Sequence, residues 1–202
     1  MALNFANNNS LSAISAKPSG LSGGAMNLIS TQTASGSANL SFTSGIDDTY
    51  DSYVFKFYNI HPATDNVQFL FNMSSDSGSN YNVTKTTTYF LAEHNATGGS
   101  ANLSYQSAKD LAQSTDFQKL MTDLGNAADE NLSGYLTIYN PSSTTFVKNF
   151  MSRTNAQAYS ATNISFDNYI AGYGNTTSAV NAVQFKMSSG TFDGVIKLYG
   201  VS

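Results

Sequence analysis

The chain has 202 residues, 41% hydrophobic, 12% aromatic and only 11% charged, with a net charge of −4. Roughly 25% charge is usual in a globular chain. The apolar and aromatic supply suffices for a core and excludes a disordered chain, which would be poorer in aromatic and β-branched residues. Nine scattered Lys and Arg in an acidic background argue against nucleic acid, and the lack of Cys removes disulfides, thiolate zinc sites and Cys nucleophiles together.

Residues 1–25 are rich in Asn, Ser and Gly, dotted with Leu3, Phe5, Leu11, Ile14 and Leu21. The stretch reads as a free tail or as an arm docking on a neighbouring subunit. The spaced large apolar residues favour the arm and become its candidate assembly contacts. The start Met1-Ala2-Leu3-Asn4-Phe5 has no basic segment and no apolar core of signal-peptide length. No apolar run approaches the roughly 18 residues of a membrane span. A soluble protein made in a cytoplasm, without a membrane partner, is expected.

From Met26 the pattern turns to β and holds to residue 202, predicting one β domain over 26–202. Short strands are predicted at Met26–Gln32 and Ser37–Phe42, around Ala34-Ser35-Gly36. The organising stretch is Gly45–Met73. In it Tyr53, Phe55 and Phe57 share one face and Val54, Lys56, Tyr58 and Ile60 the other. A six-residue loop, His61 to Asn66, leads to a second period-2 stripe of Val67, Phe69, Phe71 and Met73. This predicts two paired antiparallel strands at the centre of a sheet. Further strands are predicted at Thr86–Ala92, Asn102–Tyr105, Gly134–Tyr139, Thr145–Met151, Ile164–Tyr173, Val180–Met187 and Gly194–Gly200. One helical segment is predicted over Ser107–Leu124, where Leu111, Phe117, Leu120, Met121 and Leu124 fall near 3.6-residue spacing. The sum is an all-β, antiparallel β-sandwich, jelly-roll-like, with one short helical segment and an extended N-terminal arm, its first strand pairing with its last.

Catalytic patterns are missing from the sequence. His61 and His94 are the only histidines. No further ligand or nucleophile stands at a spacing that would make either a metal ligand or a base, so both read as polar loop or edge residues. Asp47, Asp48, Asp51 and Asp76 could offer oxygens to Ca²⁺, yet Asp caps turns in the same way and no EF-hand pattern is present. Glu93 and Asp129-Glu130 have no recognisable glycosidase context, and Gly-x-Ser-x-Gly is absent. No enzyme, cofactor or resident metal is expected. Asn72, Asn82, Asn102, Asn163 and Asn175 open Asn-x-Ser/Thr tripeptides that a chain this rich in Asn, Ser and Thr produces by chance. Tyr81, Tyr105, Tyr159, Tyr169 and Tyr173 lie in or near loops and are candidate surface aromatics. They can serve as sugar platforms or pack at strand ends and subunit contacts.

Three strings carry a resemblance: LISTQTASGSANLSFTSGIDDTYDSYVFKFYNIHPATDNVQFLFNMSSDSGSNYN, NPSSTTFVKNF and AGYGNTTSAVNAVQFKMSSGTFDGVIKLYG. They resemble virion structural proteins of tailed bacteriophages that infect marine bacteria, of the cyanophage or pelagiphage kind, over most of residues 28–200. The resemblance lies in overall pattern and includes no catalytic signature. It implies a non-enzymatic, multi-copy particle component assembled in the host cytoplasm, a homo-oligomer that contacts major capsid or tail proteins. Capsid decoration or cement subunit and tail component are both open under it. A receptor- or carbohydrate-binding module of a tail fibre is the alternative.

Overall fold

The computed structural model describes residues 26–99, 101–159 and 163–202. Among them there is no helix, and every strand pairing is antiparallel. In chain order the strands are β1 (Asn27–Ser37), β2 (Asn39–Phe42), β3 (Ser52–Pro62), β4 (Val67–Ser74), β5 (Lys85–Asn95), β6 (Ala101–Tyr105), β7 (Gln118–Leu124), β8 (Leu132–Tyr139), β9 (Lys148–Ala158), β10 (Ile164–Gly174), β11 (Ala182–Met187) and β12 (Phe192–Val201). They form one barrel-like, nearly closed sheet. One run goes β1-β12-β3-β8-β9-β10-β5-β6 and the other β7-β4-β11-β2, joined where Leu124 of β7 bridges Ala158 of β9. The ends of the path meet: Gln32 Nε2 of β1 donates to the Ser41 carbonyl of β2 at 2.9 Å.

The alternation read from the sequence builds the interior. Tyr53, Phe55 and Phe57 of β3 are buried and face the buried Phe69, Phe71 and Met73 of β4. Ile60, expected on the opposite face, is buried with them, because Asn59 takes φ 50° and the β3–β8 register shifts between Phe57 and Ile60. Phe185 of β11 sits at the centre, against the rings of Phe42, Phe55, Phe57, Phe69 and Phe71 at centroid distances of 5.2–6.5 Å. Most of these contacts are edge-on, the arrangement ring quadrupoles favour.

Several expectations are corrected. β3 and β4 are consecutive but do not pair: β3 lies between β12 and β8, and β4 between β11 and β7. Their apolar stripes meet face to face through the core, with Phe57 and Phe69 5.3 Å apart, so the link at Ala63–Asn66 carries the chain from one run to the other. The helical segment over Ser107–Leu124 is absent; turns lead into β7 there. Leu120, Met121 and Leu124 are all buried, as their helical spacing suggested. The cause is an irregular strand: the β4–β7 register shifts on both sides of Phe69, and Asp123 has φ 56°. A bulge turns neighbouring side chains to one face and so imitates helical spacing. β1 runs on through Ala34-Ser35-Gly36, with Gly36 at φ 57° beside a register shift, instead of turning there. β9 starts at Lys148 and reaches Ala158, later and longer than read. The pairing of first and last strands, β1 with β12, is present. The assembly contacts Leu3, Phe5, Leu11, Ile14 and Leu21 lie outside the described residues.

Candidate functional site: an aromatic row on the outer face

Register places seven outward side chains in one line across the long run. Tyr105 of β6 is opposite Phe90 of β5, and Phe90 opposite Tyr169 of β10. Tyr169 is opposite Arg153 of β9, and Arg153 opposite Tyr135 of β8. Lys56 of β3 and Lys197 of β12 continue the line. The flanking residues on each strand (Tyr89 and Leu91, Asn168 and Ile170, Ser152 and Thr154) point inward and are buried. Strand alternation therefore leaves these side chains outside. Tyr105, Phe90, Tyr169 and Tyr135 are 40–46% exposed, joined by Met151 and Leu103 at 55% and 70%, so large apolar groups are gathered on one face.

The centre of the row is fixed by polar contacts. Arg153 Nε donates to Asp167 Oδ1 at 3.0 Å and its NH2 group to Oδ2 at 2.7 Å. The Tyr169 hydroxyl donates to the same Oδ2 at 3.0 Å, and the Arg153 guanidinium lies 4.8 Å from the Tyr169 ring centre. The bond from Arg153 holds the Asp167 carboxyl below its ordinary range, and the bond to Asp167 raises the Tyr169 phenol. At neutral pH Asp167 is thus ionised and Tyr169 protonated, with the guanidinium bonded along its N–H edge to the carboxylate and within cation–π range of the ring. At the outer end Phe90 meets Tyr105 edge-on, 5.1 Å apart at 80°, and the Tyr105 hydroxyl bonds to Asp110.

Open hollows run along this face. One of about 330 Å³ is walled by Phe90, Tyr135, Met151, Arg153 and Tyr169. A second, about 350 Å³, lies beside it between Thr86, Thr88, Asn149, Met151 and Tyr173. A third, about 300 Å³, is edged by Ser133, Tyr135, Arg153, Asn155 and Asp167. Shared residues make them one groove. Its walls offer ring faces, a thioether, amides and a locked ion pair, which is chemistry for holding a surface.

Of the aromatics singled out from sequence, Tyr105 and Tyr169 stand in the row, and Tyr173 lines the second hollow with its hydroxyl 3.3 Å from Gln113 Nε2. Tyr159 is exposed just beyond β9, away from the row. Tyr81 is half-buried, with its hydroxyl enclosed beside Gly78 and without a hydrogen-bond partner. Phe90, Tyr135, Met151 and Arg153 had escaped the sequence reading.

The other candidates resolve into local roles. His61 Nδ1 lies 2.6 Å from the Glu130 carbonyl, and His94 is exposed on β5. Asp47 accepts from Thr49 N and the Tyr53 hydroxyl, both at 2.9 Å. Asp76 accepts from Ser74 Oγ at 2.6 Å and from Asn80 N and Nδ2, and these bonds, Ser74 first, pull its carboxyl down to about 2. These carboxylates close turns. Among the described residues no three His, Asp or Glu converge as a metal site.

No protein-family model matches the chain, and no curated protein matches it.

Proposed function

We propose that this protein is a non-enzymatic structural component of a tailed-phage virion, displayed on the particle as a capsid decoration or cement subunit or as a tail component. On this reading the body is a jelly-roll-like sandwich, its two faces being the strand runs whose rings meet at Phe57, Phe69 and Phe185. The protein is assembled in the host cytoplasm and works as a homo-oligomer against major capsid or tail proteins.

The observation that carries the proposal is the in-register row Tyr105–Phe90–Tyr169–Arg153–Tyr135. Tyr, Phe, Arg and Met are the residues that concentrate at the centres of protein interfaces, and Arg and Tyr dominate their energetics. Asp167 and Tyr169 already fix the Arg153 side chain, so little side-chain freedom is lost when a partner covers it. The resemblance of residues 28–200 to virion proteins is the second support. A receptor- or glycan-binding role in a tail fibre draws on the groove between Phe90, Tyr135 and Tyr169, where rings and polar edges alternate. The perpendicular setting of Phe90 and Tyr105 differs from the coplanar ring platform that suits a sugar, and favours the protein contact.

The test is a double substitution, Phe90→Ser with Tyr169→Ser, on exposed positions outside the core. The variant should fold normally yet fail to join purified particles lacking the protein, while the wild type joins them. Normal attachment by the folded variant overturns the surface assignment, and a glycan that competes for the wild type transfers the row to the receptor reading.

A further inference from the structure

Two fully buried lysines have contrasting surroundings. Lys148 Nζ is ringed by backbone carbonyls, Ser143 O and Phe146 O at 2.6 Å and Thr176 O at 3.3 Å. Lys85, at the start of β5, instead donates to the side-chain amide of Asn72 on β4, with Nζ 2.5 Å from Oδ1, and to Val83 O at 2.7 Å. Neither Lys85 nor Asn72 reaches solvent, and among the described residues no carboxylate is in ion-pair range of Lys85. Burial drives the Lys85 ammonium down to about 7, with Asp116 opposing in part. A good share of the side chain is therefore free amine at neutral pH, the nucleophilic form.

The amide is held as an electrophile would be. Met73 N–H donates to Oδ1 at 2.8 Å, where negative charge would develop on attack. Nδ2 is pinned by Tyr81 O at 2.7 Å and Thr115 O at 2.9 Å, which orient the nitrogen that would leave. The acyl carbon is one C=O length, ~1.23 Å, from the oxygen that Nζ touches. That brings the amine close to near-attack range of ~3–3.5 Å.

We propose that Lys85 and Asn72 are a self-modification site that forms an intramolecular isopeptide bond. Nζ bonds to Asn72 Cγ, the Cγ–Nδ2 bond breaks, and the proton shed by Nζ leaves with Nδ2 as ammonia. The step needs no oxidant and no cofactor. Asn72 is on the β7-β4-β11-β2 run and Lys85 on the run that ends β10-β5-β6, so the new amide ties the two together. In a chain without cysteine it supplies the covalent clamp a disulfide would otherwise give.

Intact mass and peptide mapping of the full-length protein, stored at neutral pH and then digested, test the site. The wild type should be one ammonia lighter than its sequence, with the peptides carrying Asn72 and Lys85 joined and Lys148 recovered unmodified. Lys85→Arg and Asn72→Ala should each restore the full mass. Digests of the wild type decide the matter even where a variant folds poorly. Full mass with Lys85 recovered free, or an ammonia loss that maps elsewhere, overturns the proposal.

Discussion

Arg153 shows how one side chain organises a surface: it ties Asp167 on β10 to the Tyr169 ring two residues along the same strand. The pair is solvated, at 52% and 22% side-chain exposure, and surface ion pairs add little to stability. Arg153→Ala should therefore leave the thermal midpoint close to wild type while sharply weakening attachment to particles, read by differential scanning calorimetry and co-sedimentation. A second residue-level expectation concerns acid. The Asp76 carboxyl lies at about 2 in the folded chain against 3.8 in the unfolded one, so its contribution is present above about 4 and lost as pH falls toward 2. The midpoint of wild type should exceed that of Asp76→Asn at pH 6, with the gap narrowing between pH 4 and 2; a constant gap would refute the assignment. Tyr105 and Tyr169 are legible in the sequence only as tyrosines read in or near loops; Tyr169 instead lies inside β10, paired on both sides, and is exposed through strand alternation. Phe90, Tyr135 and Arg153 are not legible there, because each looks like an ordinary strand residue until register aligns different strands.

At the scale of elements, alternation was legible and pairing was not. The stripes of β3 and β4 gave the inward faces of Tyr53, Phe55, Phe57, Phe69 and Phe71 correctly. Two stripes close in sequence, however, can pair edge to edge or meet face to face through a core, and alternation is the same in both cases. β7 was hidden for another reason: its bulged pairing buries Leu120 and Met121 together, which breaks the period of two. Irregular pairing also makes a testable demand at Gly134 of β8, where an added Cβ would stand 2.3 Å from the Arg153 carbonyl oxygen and 2.8 Å from Thr154 Cα. Backbone cannot withdraw as a flexible side chain can. Gly134→Ala should cost about 1–3 kcal/mol in urea unfolding, as overpacked sites do; a neutral effect would mean that β8 and β9 are farther apart than described.

At the scale of the whole fold, the described residues form a nearly closed sheet whose interior is dominated by phenylalanine rings around Phe185. Phe185→Ala should destabilise by about 3–5 kcal/mol, because both strand runs lose contacts to the cavity at once. The core draws on the inward positions alone, so the outer face carries the aromatic row on which the proposed role depends. The most direct test of that role is the copy number of this protein on gradient-purified virions, by quantitative mass spectrometry against the major capsid protein. A fixed, reproducible stoichiometry is expected, lattice-matched for a decoration subunit and low for a tail component. Its absence from purified particles, with the protein left in the free lysate, would contradict the account.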